Sequence, residues 1–267
     1  MAQKNGSSFK SAFAGAVIII CLVVAHLLFY LVLGNGSNFE GGDNSGHPLP
    51  GNYLAVVFKG GFIVPILMSF LLIVITVSIE RFFTINKATG SGSVENFVIK
   101  IQNYLTSGDI NGAIAACDVQ KGSVGNVVKA TLEKYKEVQT ESAYDKEQKI
   151  AAIQKTLEEA TALELPSLEK NLTILSTLAS VATLVALLGT VLGMIRAFAA
   201  MATAGAPDSA ALATGISEAL INTAIGIGTS AVSIIVYNFF TSKIDTLTYS
   251  IDEAGMSITQ TFSATSK

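Results

Sequence analysis

Four long apolar runs, separated by polar stretches, dominate the pattern of this chain. They cover about residues 13–33, 54–79, 172–195 and 219–240, and the last two contain no charged side chain. Each run is long enough to cross the roughly 30 Å apolar core of a bilayer as a helix, which takes about 20 residues. The pattern therefore predicts an all-α, polytopic membrane protein with four transmembrane helices.

The third and fourth runs each carry a stripe of small and hydroxyl-bearing residues. Steps of three and four residues bring the members of a stripe to one helix face. Small residues let membrane helices approach closely, so we predict helix packing through Thr183, Ala186, Gly193, Gly226 and Ser230. The complete stripes are Ser176, Ala179, Thr183, Ala186, Thr190, Gly193 and Ala197, and Ala219, Thr223, Gly226, Ser230 and Ser233.

Helical periodicity continues outside the apolar runs. An amphipathic pattern begins at Val94 and stops at Ser107 and Gly108, and apolar positions continue past Phe240 as far as Ile258. This periodicity predicts long helices that extend beyond the membrane. The predicted division of the chain is 1–53 for the first transmembrane helix and its loop, 54–81 for the second, 82–170 for a helical domain, 171–242 for a transmembrane hairpin and 243–267 for a helical tail.

Basic residues set the predicted orientation. Lys4 and Lys10 precede the first run, eleven Lys or Arg lie in residues 81–170, and Lys243 and Lys267 follow the last run. The two loops on the opposite side contain none. The excess of Lys and Arg on the cytoplasmic side of membrane proteins therefore predicts that both termini and residues 82–170 are cytoplasmic.

Composition supports membrane insertion and argues against several functions. Half of the residues are hydrophobic and only 14% are charged, against about 25% in soluble proteins. With a net charge of −3 and no basic cluster, nucleic-acid binding is not expected. Cys21 and Cys117 lie on opposite sides of a predicted span, and no His, Cys, Asp or Glu cluster has catalytic or metal-ligand spacing. We expect no enzyme activity, metal, cofactor or disulfide.

Two sequence blocks carry a resemblance to a known family. Residues 187–195 read LLGTVLGMI, and residues 215–227 contain GISEAL and TAIGI, followed by Tyr237 and Asn238. In order and separation these blocks resemble the signature of the ExbB/TolQ/MotA family of ion-driven motor subunits. The match is nearer to ExbB and TolQ than to MotA.

The resemblance implies an assembly and a function. Members form homopentamers in the bacterial inner membrane around a dimer of single-span ExbD/TolR-like partners, each carrying a membrane Asp that titrates. Proton or sodium flow through the complex would turn the pentamer around the partner and energise outer-membrane transport or envelope processes, with a TonB-like protein as a further partner. The implied role for this chain is a subunit of a motor driven by the proton-motive force.

Motif position suggests three residues of an ion pathway. Thr190 and Thr223 would face the interior near the conduction route, and Glu218 would lie toward the outer part of the same lining. At about 1.5 Å per residue from the loop at 203–208, both threonines lie roughly 20 Å deep, near the midplane. A hydroxyl can hydrogen-bond a partner carboxylate in either protonation state, but stripes of this kind also serve packing alone.

Other polar residues in the spans leave alternatives open. Arg196 and Glu218 lie at similar depth, so we predict an ion pair at the outer mouth, although Arg196 could instead extend to the interface. His26 is expected to be a packing residue rather than a proton relay. The chain departs from the family in having an additional first span and in Thr183 and Val232, where prolines are common.

Two functions from different classes follow. The first is a proton-conducting motor subunit, with H⁺ favoured over Na⁺ because the spans offer hydroxyls without an extra carboxylate. The second is a non-conducting membrane scaffold that stabilises a single-span partner. Polar residues at midplane depth favour the first, because a scaffold could pack through Gly and Ala alone.

Overall fold

The computed structural model describes residues 3–203 and 209–265, and within them the chain is helical without a strand. Four helical segments are long and apolar enough to cross a membrane, at Gly15–Leu33, Val64–Ser107, Lys146–Ala199 and Leu212–Thr265. The prediction of an all-α chain with four such helices is confirmed. The helices are α1 Gln3–Leu27, α2 Tyr53–Phe58, α3 Val64–Thr89, α4 Val94–Ser107, α5 Ile110–Gln120, α6 Gly122–Thr140, α7 Lys146–Glu169, α8 Leu172–Thr203 and α9 Ser209–Thr265.

The chain folds as two compact units. The first consists of the described residues up to Ile79 together with Thr173–Tyr237, and the second of Glu80–Leu172 with the described residues from Asn238 on. Helices α3 and α9 contribute residues to both units. The first unit contains most of the apolar helical surface and the residues singled out from the sequence.

In the first unit, α1 and the π-helical segment Leu28–Leu33 that follows it pack against α3 through a stripe of every fourth residue. Cys21, Ala25, Phe29 and Leu33 are buried, and the last two share an apolar cluster with Val64. The Sγ atom of Cys21 lies 3.8 Å from the Oγ1 atom of Thr76. From Gly15 on, the opposite face of α1 is exposed within the protomer, as Ile19 and Val23 show, so this part of the additional helix is anchored along one side only. His26 is half-buried, and its Nδ1 lies 2.8 Å from the carbonyl oxygen of Leu22.

The second apolar run is divided between two helices, which differs from the single span predicted from about residue 54. Helix α2 ends at Phe58 and α3 begins at Val64. Between them Gly61 has a φ of +79°, a left-handed conformation that favours glycine. Pro65 then lies in the first turn of α3, where its missing N–H costs no helical hydrogen bond. The Gly60–Gly61 turn that results faces the interior of the first unit.

Helices α8 and α9 approach closely through small residues. A Cβ atom added at Gly226 would overlap the Cβ of Ala186 and lie 2.8 Å from the carbonyl oxygen of Ala182. A Cβ at Gly193 would lie 3.0 Å from the carbonyl oxygen of Gly215. Further along the same contact, the Ser230 hydroxyl donates to the carbonyl of Ala179, and the Ser233 hydroxyl donates to that of Leu175 at 2.7 Å. Thr183 is half-buried.

In the second unit, local signals explain where the helices begin and end. Ser93 caps α4 by accepting from the N–H of Asn96, and Gly108 ends it with a φ of +74°. The Asp145 and Gln148 side chains form a capping box at the start of α7. The end of α9 packs its predicted apolar positions inward, since Ile244, Leu247, Ile251 and Ile258 are all buried.

Two buried polar groups of the second unit have structural roles. Arg81 is 2% exposed, pairs with Glu80, and donates from Nη1 to the carbonyls of Ser167 and Leu168 at 3.2 and 3.1 Å. These carbonyls lie at the end of α7, where helical partners are lacking. Burial, with a contribution from the negative charge of Asp118, raises the pKa of the Cys117 thiol to about 12. The thiol is therefore neutral at physiological pH and packs as an apolar side chain.

Candidate functional site

Two threonines from neighbouring spans meet inside the first unit. The Oγ1 atoms of Thr190 on α8 and Thr223 on α9 lie 2.6 Å apart. Each also lies within reach of the carbonyl one turn earlier in its own helix, 3.1 Å from that of Ala186 and 3.0 Å from that of Ala219. Both side chains are half-buried. Because a hydroxyl holds one proton and two lone pairs, the pair can donate to one group while it accepts from another.

Arg196 and Glu218 form an ion pair between the same two helices. The Nη1 atom of Arg196 lies 2.8 Å from Oε1 and 3.0 Å from Oε2 of Glu218, and only the second contact has hydrogen-bond geometry. The side chain of Glu218 is 8% exposed and that of Arg196 is 49% exposed. The guanidinium carbon of Arg196 lies 5.4 Å from the centre of the Phe62 ring, a cation–π distance. The arrangement neutralises a buried carboxylate.

Asn222 is a buried polar residue that the sequence analysis did not identify. It has no exposed surface, and its Nδ2 donates to the carbonyl of Gly60 at 3.0 Å. It reaches that position because Gly189 has no side chain, since a Cβ there would lie 2.9 Å from the Asn222 side chain. An amide four residues after Glu218 in an otherwise apolar span is the signal that could have identified it.

The predicted residues fall into separate contacts rather than one cluster. Thr190 contacts Thr223, Arg196 contacts Glu218, and the small residues of α8 and α9 surround both contacts. Within residues 3–203 and 209–265, no group of three or more His, Cys, Asp or Glu side chains could hold a metal ion. The hydroxyl, carboxylate and guanidinium groups of these contacts can donate or accept hydrogen bonds.

Comparison with known proteins assigns the family. The model of the MotA/TolQ/ExbB proton channel family matches residues 120–253, which is half of the chain and includes both contacts. The chain is 30% identical over 124 residues to the Tol-Pal system protein TolQ of Pseudomonas aeruginosa, covering 46% of this chain and 54% of that protein.

Two further relatives are similar over shorter regions. The biopolymer transport protein ExbB of Helicobacter pylori is 41% identical over 93 residues, covering 35% of this chain and 63% of that protein. A putative biopolymer transport protein, ExbB-like 3, of Synechocystis is 38% identical over 88 residues, covering 32% and 42%. The chain thus spans between 42% and 63% of the length of these relatives. The chain belongs to the MotA/TolQ/ExbB proton channel family.

Proposed function

We propose that the chain is an ExbB-like inner-membrane subunit of a motor driven by the proton-motive force. In this proposal it conducts protons together with a single-span ExbD/TolR-like partner and energises outer-membrane transport or another envelope process. The observation that carries the proposal is the 2.6 Å contact between the hydroxyls of Thr190 and Thr223. This contact joins two membrane-length helices at a position that the family motifs relate to ion conduction.

The threonine pair offers a physical means of proton transfer. A charged carboxylate is costly in the low-dielectric interior of a membrane protein. A hydroxyl lowers this cost because it donates to the carboxylate and accepts from the protonated acid. The Asp of the single-span partner would titrate, while Thr190 and Thr223 would stabilise both of its states without changing charge. Such a route favours H⁺ over Na⁺, because it offers exchangeable protons rather than an anionic cage.

The ion pair of Arg196 and Glu218 would act at the outer end of the same route. Arg196 compensates the charge of a carboxylate whose side chain is only 8% exposed. Without that cation the buried carboxylate would be an uncompensated charge, which is strongly destabilising. We propose that the pair keeps Glu218 in place near the mouth of the lining.

The apolar surface of α8 supports assembly with neighbouring subunits or lipid. Six of its large apolar side chains are more than half exposed within the protomer: Leu184, Leu187, Leu188, Val191, Ile195 and Phe198. A homopentamer, as the family resemblance implies, would cover part of this surface, and membrane lipid the rest. A TonB-like protein is a further proposed member of the complex.

A second candidate function is a non-conducting scaffold for the single-span partner. The close contact between Gly226 and Ala186 favours it, because small residues at a helix crossing serve packing without any conduction. The two functions differ in whether protons cross the membrane when the complex is intact.

Proton flux into liposomes tests the proposal. The chain would be reconstituted with its single-span partner, either unchanged or with the membrane Asp of that partner replaced by Asn. Under an imposed gradient in sodium-free buffer, we expect flux with the unchanged partner and background flux with the Asn variant. Complex formation, checked by size exclusion, should be equal in both. Equal background flux in the two samples would support the scaffold, and flux that requires sodium would contradict a proton route.

A further inference from the structure

Four buried oxygen atoms on α9 have no hydrogen bond among the described residues, and one of them, Oγ1 of Thr241, lies in the second unit. The three in the first unit are Oε1 of Glu218, Oδ1 of Asn222 and Oγ1 of Thr229. Of these, Oε1 of Glu218 still lies 2.8 Å from Nη1 of Arg196 in the ion pair. The three residues are 6%, 0% and 1% exposed. The steps of four and seven residues place all three on one face of the helix, over about 16 Å at the rise of 1.5 Å per residue. We call these residues the buried polar stripe.

Glu218 and Asn222, at the N-terminal end of the buried polar stripe, face the Gly60–Gly61 turn. The Nδ2 of Asn222 donates to the carbonyl of Gly60. This bond fixes the orientation of the amide, because a reversed amide would point its oxygen at another oxygen. A Cβ at Gly61 would overlap Oε1 of Glu218 and lie 3.0 Å from its carboxyl carbon. The glycine turn therefore allows a buried carboxylate and a buried amide to lie one helical turn apart.

Energetics distinguish this stripe from ordinary packing. A buried polar atom without a hydrogen-bond partner is destabilising, and Asn222 and Thr229 each present one in the same membrane-length helix, where polar groups are costly. Small-residue packing does not require them, as Ser233 shows on a nearby part of α9, where its hydroxyl is buried but donates to the Leu175 carbonyl. Buried water commonly satisfies such groups, with about three hydrogen bonds per molecule.

We propose that the buried polar stripe binds a row of ordered water molecules inside each protomer. The waters form an additional branch of the proton route, separate from the contact of Thr190 with Thr223, because Thr223 lies about 100° around α9 from Asn222. Asn222 and Thr229 are positioning residues: they orient water and do not titrate. Each water accepts one proton and releases another, so transfer along the row leaves its composition unchanged. The transport role of the row rests on the proposed function, whereas its hydration does not.

The first test uses substitutions that keep shape and remove polar atoms. Thr229→Val replaces a hydroxyl by a methyl group, and Ser233→Ala removes the nearby hydroxyl that has a protein partner. We expect Thr229→Val to lower both the melting temperature and the proton flux, the flux by about tenfold if one hydrogen bond of about 1.4 kcal/mol is lost. Ser233→Ala is expected to lower the melting temperature and leave the flux unchanged. An increase in melting temperature in Thr229→Val, with unchanged flux, would show that the stripe is dry and overturn the proposal.

The second test measures hydration without any transport. In lipid bilayers containing ¹⁵N-asparagine-labelled chain, water-edited solid-state NMR follows magnetisation transfer from water to side-chain amides. The Asn222 signal is the one lost in Asn222→Leu, and the exposed side of α6 supplies Asn126 as a hydrated reference. We expect rapid transfer to Asn222 despite its complete burial, and slow transfer would overturn the proposal.

The two tests separate the inference from the proposed function. If the unchanged complex conducts no protons, the proposed function fails, and the NMR result still decides whether water occupies the stripe. If the unchanged complex conducts and Thr229→Val conducts equally, the proposed function stands and the additional branch is rejected.

Discussion

Gly226→Ala is expected to lower the melting temperature of the chain in detergent by about 5–10 °C. The added methyl group would overlap the Cβ of Ala186 and lie 2.8 Å from the carbonyl oxygen of Ala182. Neither atom belongs to a flexible side chain, so α8 and α9 must move apart. Overpacking of this kind costs about 1–3 kcal/mol, and each kcal/mol lowers the midpoint by roughly 2–4 °C in a chain of this size. Circular dichroism at a fixed heating rate measures the change.

Gly228→Ala is the matched control on the same helix. A Cβ at Gly228 would meet nothing within 4 Å, and alanine favours a helix over glycine by about 1 kcal/mol. We expect an unchanged or higher melting temperature. Equal losses at the two positions would mean that the effect comes from the helix backbone and not from the contact with α8.

Arg196→Gln is expected to destabilise the chain by about 2 kcal/mol. The change leaves the carboxylate of Glu218 without its cation, and this side chain is 8% exposed. Removing one partner of a fully buried pair costs about 3–5 kcal/mol, and we expect less because the Arg196 side chain is 49% exposed. Thermal unfolding of the unchanged chain, Arg196→Gln, Glu218→Gln and the double variant gives a double-mutant cycle for this pair.

The double variant should recover most of the loss, because it removes the unpaired charge together with its partner. Lys155→Gln is the control, since Lys155 and Glu159 lie 3.8 Å apart but are 74% and 66% exposed. Exposed pairs contribute little, so its melting temperature should not change. Strictly additive losses in the Arg196 and Glu218 cycle would show that the observed contact does not couple the two residues.

Periodic features of the fold were predictable from the sequence. The end of α4 at Gly108 and the continuation of α9 through Ile244 and Ile251 follow from spacing and from a left-handed glycine. The four membrane-length helices follow from apolar runs alone. The similar depth of Thr190 and Thr223 followed from counting residues at the helical rise, although only the structure gives the 2.6 Å distance between their hydroxyls.

Other features depend on tertiary contacts that a pattern cannot supply. The Gly60–Gly61 pair is a turn signal, but the apolar runs on both sides of it led to the prediction of one continuous span, and only the structure shows the left-handed turn at Gly61. Asn222 lies between the GISEAL and TAIGI blocks, and its role depends on the carbonyl of Gly60, which is distant in sequence. The contact of α1 with α3 through Cys21 and Thr76 likewise could not be predicted from a local pattern, because the two residues are distant in sequence.

Proton flux through a complex of the single-span partner with the Thr190→Val, Thr223→Val double variant decides whether the two hydroxyls take part in conduction. Valine keeps the shape of threonine and removes the hydroxyls that lie 2.6 Å apart. Hydrogen bonds to charged groups contribute about 1.5–3 kcal/mol, and every 1.4 kcal/mol changes a rate or equilibrium by about tenfold. We predict at least a tenfold loss of flux in liposomes that hold equal amounts of intact complex. Flux equal to that of the unchanged chain would contradict the account and leave both threonines as packing residues.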